Sequence, residues 1–337
     1  MFARMCAGVA AAAFLAAGCA IHPLPEDVTG VPTYYIVRQI RCETRQAIID
    51  TALGWLTNEE NQIEHKVDPA SRAIGVEFKN GRPIQQFSPK LFRGQVAKII
   101  SVFYNTGVAY TFDLNMTETN NLDPEVDLLK PYPHAKFTMG IKGTFDRMRQ
   151  NDRVFTVTDS FSELIRLPDA YCMDTVAGRN FVVSENYVYP IAGRIGVKRM
   201  IEDFIVLTLF GNLGGEPGDK AAPPKGPPTL VDQLAFTTDI SGNVTPTVTF
   251  TPVGTGLQVS TASLGASADR KDIHKVTVGL AIAGPGVNLI GPLRNSLFAL
   301  PLVTTQPTAS SGEQNAAAAV NQFLMLKLFQ PTVIVTP

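Results

Sequence analysis

The hydrophobic pattern switches between two periods along the chain. In "YYIVRQIRCETRQAIIDTALGWL" (Tyr34 to Leu56), Ile36, Ile40, Ala47, Ile48, Leu53 and Leu56 recur at mainly helical spacing, with Arg38, Arg41 and Arg45 on other positions. A period near 3.6 predicts an amphipathic helix, and Thr33 stands where a cap would. In "VAYTFDLNMT" the period drops to two: Val108, Tyr110, Phe112, Leu114 and Met116 alternate with Thr111, Asp113, Asn115 and Thr117. That is a strand with one apolar face. "KFTMGIKGTF" repeats the alternation with Phe137, Met139 and Ile141, and "RVFTVTDSF" gives a third strand. A second amphipathic helix follows over Arg194 to Phe210. Ile195, Ile201, Phe204, Ile205 and Leu209 form most of its apolar face, and Lys198, Arg199, Glu202 and Asp203 exclude it as a membrane span.

"VTPTVTFTP" and "HKVTVGLAI" then alternate again, the first with threonine at every other position. The end of the chain, "SSGEQNAAAAVNQFLMLKLFQP", predicts a third helix. It begins near Ser311, with Gln314 at capping-box spacing, and stops before Pro331. The stretch from Thr57 to Ser88 is polar and mixed. Only "SRAIGVEFKNGRPI" within it is periodic enough to hold a short strand, ending at an Asn80-Gly81 turn.

Two blocks resemble each other. "AYTFDL" (Ala109 to Leu114) aligns with "AFTTDI" (Ala235 to Ile240). Asp146-Arg147 followed by "RVFTVT" aligns with Asp269-Arg270 followed by "KVTVGL". Matching residues in fixed order point to an internal duplication, helix–strand–strand–DR turn–strand in each half. The expected fold is α+β, with antiparallel β-sheets covered by amphipathic helices in two helix-plus-hairpin halves. The halves would be 33–213, with an insertion at about 58–95, and 230–337. The Gly/Pro-rich 214–229 would link them. In both blocks the apolar face should be buried: Tyr110, Phe112 and Leu114 in one, Phe236, Thr238 and Ile240 in the other. Asp113 and Asp239 should point away from the core.

A transmembrane barrel is disfavoured at this level. Its strands run about 9–11 residues between aromatic girdles. From Leu230 to Gly284 the aromatic residues are Phe236 and Phe250, and the strands look short. A soluble sheet with a Thr-rich wet face is the expectation.

The first residues follow another logic. Arg4 is the one charge before Met5 to Ala17, an apolar run too short for a span of about 20 residues. Ala16, Ala17 and Gly18 then precede Cys19. A positive start, a short apolar core and small residues at its end describe a secretory signal. The junction resembles the lipobox of bacterial lipoproteins, although Leu15 sits one place early. The resemblance implies cleavage after residue 18 and a diacylglyceryl group on the Cys19 thiol. Ala20 in place of aspartate favours the outer membrane. Each buried methylene contributes about 0.8 kcal/mol, so several chains anchor permanently. Residues 19–32, with three prolines, read as an extended tether. Beyond this junction the body resembles no characterised family.

Composition adds limits. The 337 residues are 45% hydrophobic and 18% charged, with a net charge of −1, which suits a packed core and gives nucleic acid no basic stretch to meet. Cys6 leaves with the signal, so Cys42 and Cys172 remain in an oxidising compartment as a candidate disulfide, or as two buried thiols. His22, His65, His134 and His274 are far apart with no metal-ligand spacing. There is no HExxH, GxSxG or SxxK, and "GNLGGEPG" follows a helix instead of opening one, so it fails the context for phosphate binding. No catalytic, cofactor or metal residue is assigned and no cofactor is expected. The reading is a non-enzymatic structural, scaffold or interaction lipoprotein of the outer membrane. The alternative is a periplasmic ligand-binding or hydrolytic protein with a pocket between the halves.

Overall fold

The computed structural model describes residues 23–173, 186–187, 189–211, 213–214, 227–251, 256–282, 289, 293 and 312–328. The α+β class holds. The helices are α1 (Glu26–Thr29), α2 (Thr33–Thr57), α3 (Glu59–Ile63), α4 (Pro69–Lys79), α5 (Gly94–Tyr104), α6 (Phe161–Arg166), α7 (Val197–Phe210) and α8 (Gly312–Leu328). The strands are β1 (Gly107–Tyr132), β2 (Ala135–Lys142), β3 (Phe145–Ser160), β4 (Thr229–Val244), β5 (Thr247–Thr249) and β6 (Gln258–Ala281). They form one antiparallel sheet in the order β2–β1–β6–β4, with β3 also on β1 and β5 also on β6.

Prolines explain why six strands occupy four lines. Along β1 the register runs from Tyr132↔Ala135 to Glu125↔Lys142. It continues through the Gly143 N–H, which donates to the Pro124 carbonyl at 2.9 Å. Phe112, stacked on Phe155 with ring centroids 4.8 Å apart, keeps the same register. Pro124 has no N–H to return to Gly143, so the ladder breaks there and separates β2 from β3. The same happens on the far side. Leu264 donates to the Pro246 carbonyl at 3.1 Å, Pro246 cannot reciprocate, and β4 and β5 part at that residue.

The chain forms two compact units, each drawing on separate stretches of sequence. They do not follow a front half and a back half. One unit comprises Val31–Asp113, Val154–Ala235 and Lys275–Pro337. Its strand segments bury Val108, Tyr110, Phe112, Val276, Val278 and Leu280 on one face. On the other, Ala109 and Ala281 cluster with Ala316 and Val320 of α8. That approach is close: a Cβ on Gly279 would stand 2.5 Å from Val320 Cγ2 and 2.8 Å from the Ala316 carbonyl. Helix α2 is the hub and packs against α4, α6 and α7. Its Ile40 and Leu56 are fully buried, and each such side chain contributes roughly 1.5–3 kcal/mol.

Two helices of this unit correct the expectations. The stretch from Ser71 to Lys79, expected to hold a short strand, lies within α4. Asp68 accepts from the Ser71 N–H at 2.9 Å and Pro69 occupies the first turn, a start signal that outweighs the short alternation. Helix α5 buries Val96, Ile99, Ile100, Val102 and Phe103 and leads directly into β1, in place of the predicted α2.

The other unit comprises Met1–Gly30, Leu114–Arg153 and Phe236–His274. Leu114 and Met116 are buried, and from Thr117 onward β1 is half-buried on both faces while β2 is exposed along its whole length. The described part of the tether is not extended. Pro25 stands before the α1 turn and Gly30, at φ 64°, closes it in the left-handed region.

The expected duplication is not found. The first strand of the first hairpin, β1, is interior, whereas the first strand of the second, β4, is an edge. Tyr110, Phe112 and Leu114 are buried as expected, but Phe236 and Thr238 are half-buried and Ile240 is 44% exposed. Asp113 points away from the core and pairs with Lys275 at 3.2 Å. The two DR pairs lie inside β3 and β6, where an edge strand and an interior strand impose different surroundings, and neither forms a turn. The Gly/Pro-rich 214–229 lies mostly outside the described residues. Among the described residues no helix is long and apolar enough to cross a membrane.

Candidate functional site

In the helical unit, α2 carries chemistry on one side and an apolar groove on another. Cys42, in the middle of α2, is joined to Cys172 with their Cα atoms 5.5 Å apart. This is the pairing proposed for the two cysteines. Around it stands an arginine ladder one helical turn apart. Arg38 Nε donates to the Tyr171 carbonyl at 2.5 Å. Arg41 donates twice to the Asp159 carboxylate, at 2.7 and 2.5 Å, and once to the Tyr171 hydroxyl at 2.9 Å. Arg45 Nη2 reaches Asp169 at 2.5 Å. The i, i+3 and i, i+4 spacing of these arginines places all three on one helix face.

The electrostatics follow from burial. The hydrogen bond that Arg41 donates to Asp159 raises the Arg41 pKa above its ordinary value. Burial raises the Asp159 pKa, against the opposing pull of Arg41. Burial likewise raises Tyr171, and raises Tyr110 strongly. Glu43, on the next position of α2, is 4% exposed. Its carboxylate accepts from the backbone N–H of Ile195 (2.8 Å), Gly196 (2.7 Å) and Val197 (3.0 Å). Those are donors that the first turn of α7 would leave unpaired, so Glu43 caps α7 from another helix. Arg38, Arg41, Arg45 and Glu43 are each engaged by a carbonyl, a carboxylate or backbone N–H groups, although among the described residues Arg45 Nε and the Tyr110 hydroxyl are buried without a hydrogen-bond partner.

The groove has a volume of about 240 Å³. Ile48, Trp55, Ile100, Phe103, Ile201 and Phe210 give it an apolar wall, with Lys66 and Glu202 among the few polar groups. It lies wholly within residues 48–210, that is, inside the first of the two expected halves and not between them. Such a surface takes an apolar group and offers no converging polar set to a substrate.

In the sheet unit Pro23, Leu24 and Asp27 are held by Asn151 and a buried charge cluster around Arg270. Arg270 donates to the Leu24 carbonyl at 2.6 Å and to Asp272 at 3.0 Å, and its guanidinium lies 3.7 Å from Asp27. Asn151 donates to the Pro23 carbonyl at 2.9 Å. His274, 1% exposed, lies 3.8 Å from Asp272. Arg270, expected in a turn, lies inside β6, and its side chain is largely buried, like that of His274. Their place on the apolar face of β6 is the signal that could have marked them as buried.

Of the other predicted site residues, Cys19 and His22 lie outside the described residues. His65 and His134 are exposed. Among the described residues no cluster of three metal-ligating side chains occurs. The glycine-rich 211–218 lies mostly outside the described residues.

Residues 22–286 match the model of a family described as "Uncharacterised protein y4kA". The chain is also 31% identical over 279 residues to "Uncharacterized protein y4kA" of Sinorhizobium fredii (strain NBRC 101917 / NGR234), covering 83% of each chain. These matches overturn the expectation that the body matches no characterised family. They bear on the body and do not show the lipobox. The chain belongs to the y4kA family.

Proposed function

We propose that this y4kA-family chain is a lipid-anchored protein of the bacterial outer membrane whose role is non-enzymatic, a structural or interaction part of the cell envelope. The observation that carries the reading is the junction Leu15-Ala16-Ala17-Gly18-Cys19 after a short apolar run. The body supports it. Cys42 and Cys172 form a bridge across 130 residues, the chemistry of an oxidising compartment. The charged groups around that bridge are each engaged, as befits a protein that holds a shape. The residues that follow Cys19 are secured from Pro23 onward by Asn151 and Arg270, so a lipid at residue 19 would sit a few residues from a fixed point.

The apolar groove favours a second reading, a binding protein for an apolar group, and its lining gives that group no hydrogen-bonding partner beyond the rim. The test of anchoring is radiolabelled palmitate incorporation with membrane fractionation for the parent chain and Cys19→Ser. Label on the parent and none on the variant is the expected result. Equal label on both, or none on either, overturns the lipoprotein reading.

A further inference from the structure

The sheet unit has two faces of opposite character, and they are segregated residue by residue. On one face Val126 lies opposite Ile141, Leu128 opposite Met139, and Lys130 opposite Phe137. Across the sheet Val248 lies opposite Ala262 on that same face. The residues two, four and six places further along β6 are Leu264, Ala266 and Ala268, and those two and four places back along the β4–β5 line are Pro246 and Val244. The other face carries Asp127 opposite Gly140, Leu129 opposite Thr138, Thr247 opposite Ser263, and Thr249 opposite Thr261. A Cβ on Gly265 would stand 3.3 Å from Asp123 Cβ, which puts β1 and β6 in phase across the middle of the sheet.

The apolar face is open. Phe137 is 50% exposed, Ile141 54%, Phe145 61% and Val244 66%. Phe137, Ile141 and Phe145 stand on one edge line and Val244 on the other, with the half-buried Val126, Leu128, Leu264 and Ala266 of β1 and β6 between them on the same face, so the face is a continuous apolar surface. From Phe137 to Phe145 on one edge line, and from Ile240 to Phe250 on the other, this face carries no charge. By register the stretch free of charge on all four lines runs from Leu122 to Leu128 on β1 and from Ser260 to Ala266 on β6, level with Met139 to Phe145 and with Val244 to Phe250 on the edge lines; Lys130 stands opposite Phe137 at its end. Seven residues per strand at ~3.3 Å each, tilted by roughly 40°, give a band about 18 Å tall without charge on any line, and uncharged residues such as Asn120, Ala268, Gly242 and Ile240 extend it on single lines toward the ~25 Å that a barrel presents to lipid. At one end of the band, on the same face, Arg147 and Arg149 follow on β3, with Glu118 opposite Arg149 on β1 and the largely buried Arg270, held by Leu24, Asp27 and Asp272, on β6. At the other end come Lys130 and Tyr132, the lysine 5.3 Å over the tyrosine ring. Basic and aromatic residues bounding an apolar band suit phosphate head groups and the interfacial layer.

We infer that the band faces lipid, and that several copies of this chain close their sheet units into one β-barrel through the outer membrane, with the Thr/Ser/Asp face lining a water-filled lumen. The inference rests on the envelope reading above and deepens it. A four-stranded piece has two edges, and in lipid unpaired backbone groups on an edge are not tolerated. The antiparallel order β3–β1–β6–β4 makes the two edge strands antiparallel to each other. The β3 edge of one copy therefore pairs with the β4 edge of the next without breaking the pattern, and a head-to-tail contact of this kind closes into a ring. Pro23, Leu24 and Asp27 meet Asn151 and Arg270 at the basic end of the band. Cys19 is four residues before Pro23, so its acyl chains would enter the membrane beside the band.

The test uses the mature chain with Cys19→Ser, whose remaining cysteines are bridged, so that one added cysteine can carry an environment-sensitive dye. Labels go at Met139 and Val248 on one face and Thr138 and Thr247 on the other. The protein is reconstituted into vesicles of phosphatidylethanolamine and phosphatidylglycerol, and its mass is taken by light scattering in detergent. A nitroxide on the lipid chain should quench Met139 and Val248 severalfold more than their neighbours, and aqueous iodide should do the reverse, in a particle of several copies. Iodide quenching on both faces overturns the inference, and so does a single-copy mass. Met139→Asp should be lost from floated vesicles while Thr138→Asp stays, with Trp55 fluorescence confirming that the helical unit of each is folded. Reconstitution does not use acylation, so a negative palmitate result leaves the quenching pattern readable.

Discussion

Removing the Cys42–Cys172 bridge is the sharpest test of what holds the helical unit together. The two residues are 130 apart in sequence, and the chain-entropy relation for a loop of that length gives about 5 kcal/mol at 25 °C. Both sulfurs are nearly excluded from water and pack with Tyr171. Replacing both cysteines by alanine therefore also deletes buried atoms, at a cost of about 1 kcal/mol each at most. Residual structure in the unfolded chain works the other way, because a chain that is already compact loses less entropy when cross-linked. The net expectation is a loss of about 4 kcal/mol. Trp55 is the chain's single tryptophan and stands in α2 with Cys42, so its fluorescence in urea follows the right unit. With a slope of about 2–3 kcal/mol per molar urea, the midpoint should fall by roughly 1.5–2 M. Dithiothreitol should lower the parent's midpoint to the same place and leave the double variant unmoved. A double variant that unfolds within about 0.3 M of the parent would refute the reasoning. It would mean that the arginine ladder alone keeps Tyr171 and its neighbours on α2.

Other outcomes follow from the caps. Glu43→Ala should destabilise the helical unit by about 3 kcal/mol or more, since three backbone donors lose a buried charged acceptor, and Glu43→Gln by about 2; a thermal or urea midpoint equal to the parent's for Glu43→Ala would contradict the cap. Asp68→Ala should cost about 1 kcal/mol and Asp68→Asn much less, because asparagine caps nearly as well. The Ser71 hydroxyl and N–H hold the Asp68 pKa below its ordinary value. Its contribution is therefore present above pH ~4 and lost as pH falls through the lower folded value. Asp68→Asn should lack this acid-side loss, and an identical pH profile for parent and variant would remove Asp68 as its source.

Much of the fold was legible because periodicity is a local property. Helices α2, α7 and α8 begin and end within a few residues of where their apolar stripes and caps do, and Tyr110, Phe112 and Leu114 are buried as their alternation implies. Helix α4 was missed by weighing alternation over Ser71–Lys79 above the Asp68-Pro69 start signal. Helix α5 was missed because Arg93 gives no side-chain cap and nothing announces its first turn. Glu43 could not be singled out, because its donors stand about 150 residues away and only the fold brings them to it. The disulfide could be proposed by elimination, since two cysteines remained, but not its place inside an arginine ladder.

The misjudgement with most bearing on function concerns strand length. Interrupted alternation at Asp123-Pro124 and Thr245-Pro246 makes the strands look short when read along one segment, which was the ground for disfavouring a barrel. Each proline removes one donor from a ladder, yet the register is the same on both sides of it. The faces therefore stay in phase across the gap: Val126 and Leu122 on one side of Pro124 belong to the same surface, as do Val244 and Val248 around Pro246. A break in hydrogen bonding is not a break in amphipathicity. Counting aromatics in residues 230–284 alone had a similar fault. That stretch supplies only one hairpin, and the aromatics of the apolar face, Phe137, Phe145 and Tyr132, come largely from the other. Which residues share a surface is set by pairing between distant segments, and only with the pairing fixed do Val126, Ile141, Val248 and Leu264 fall on one face of one sheet.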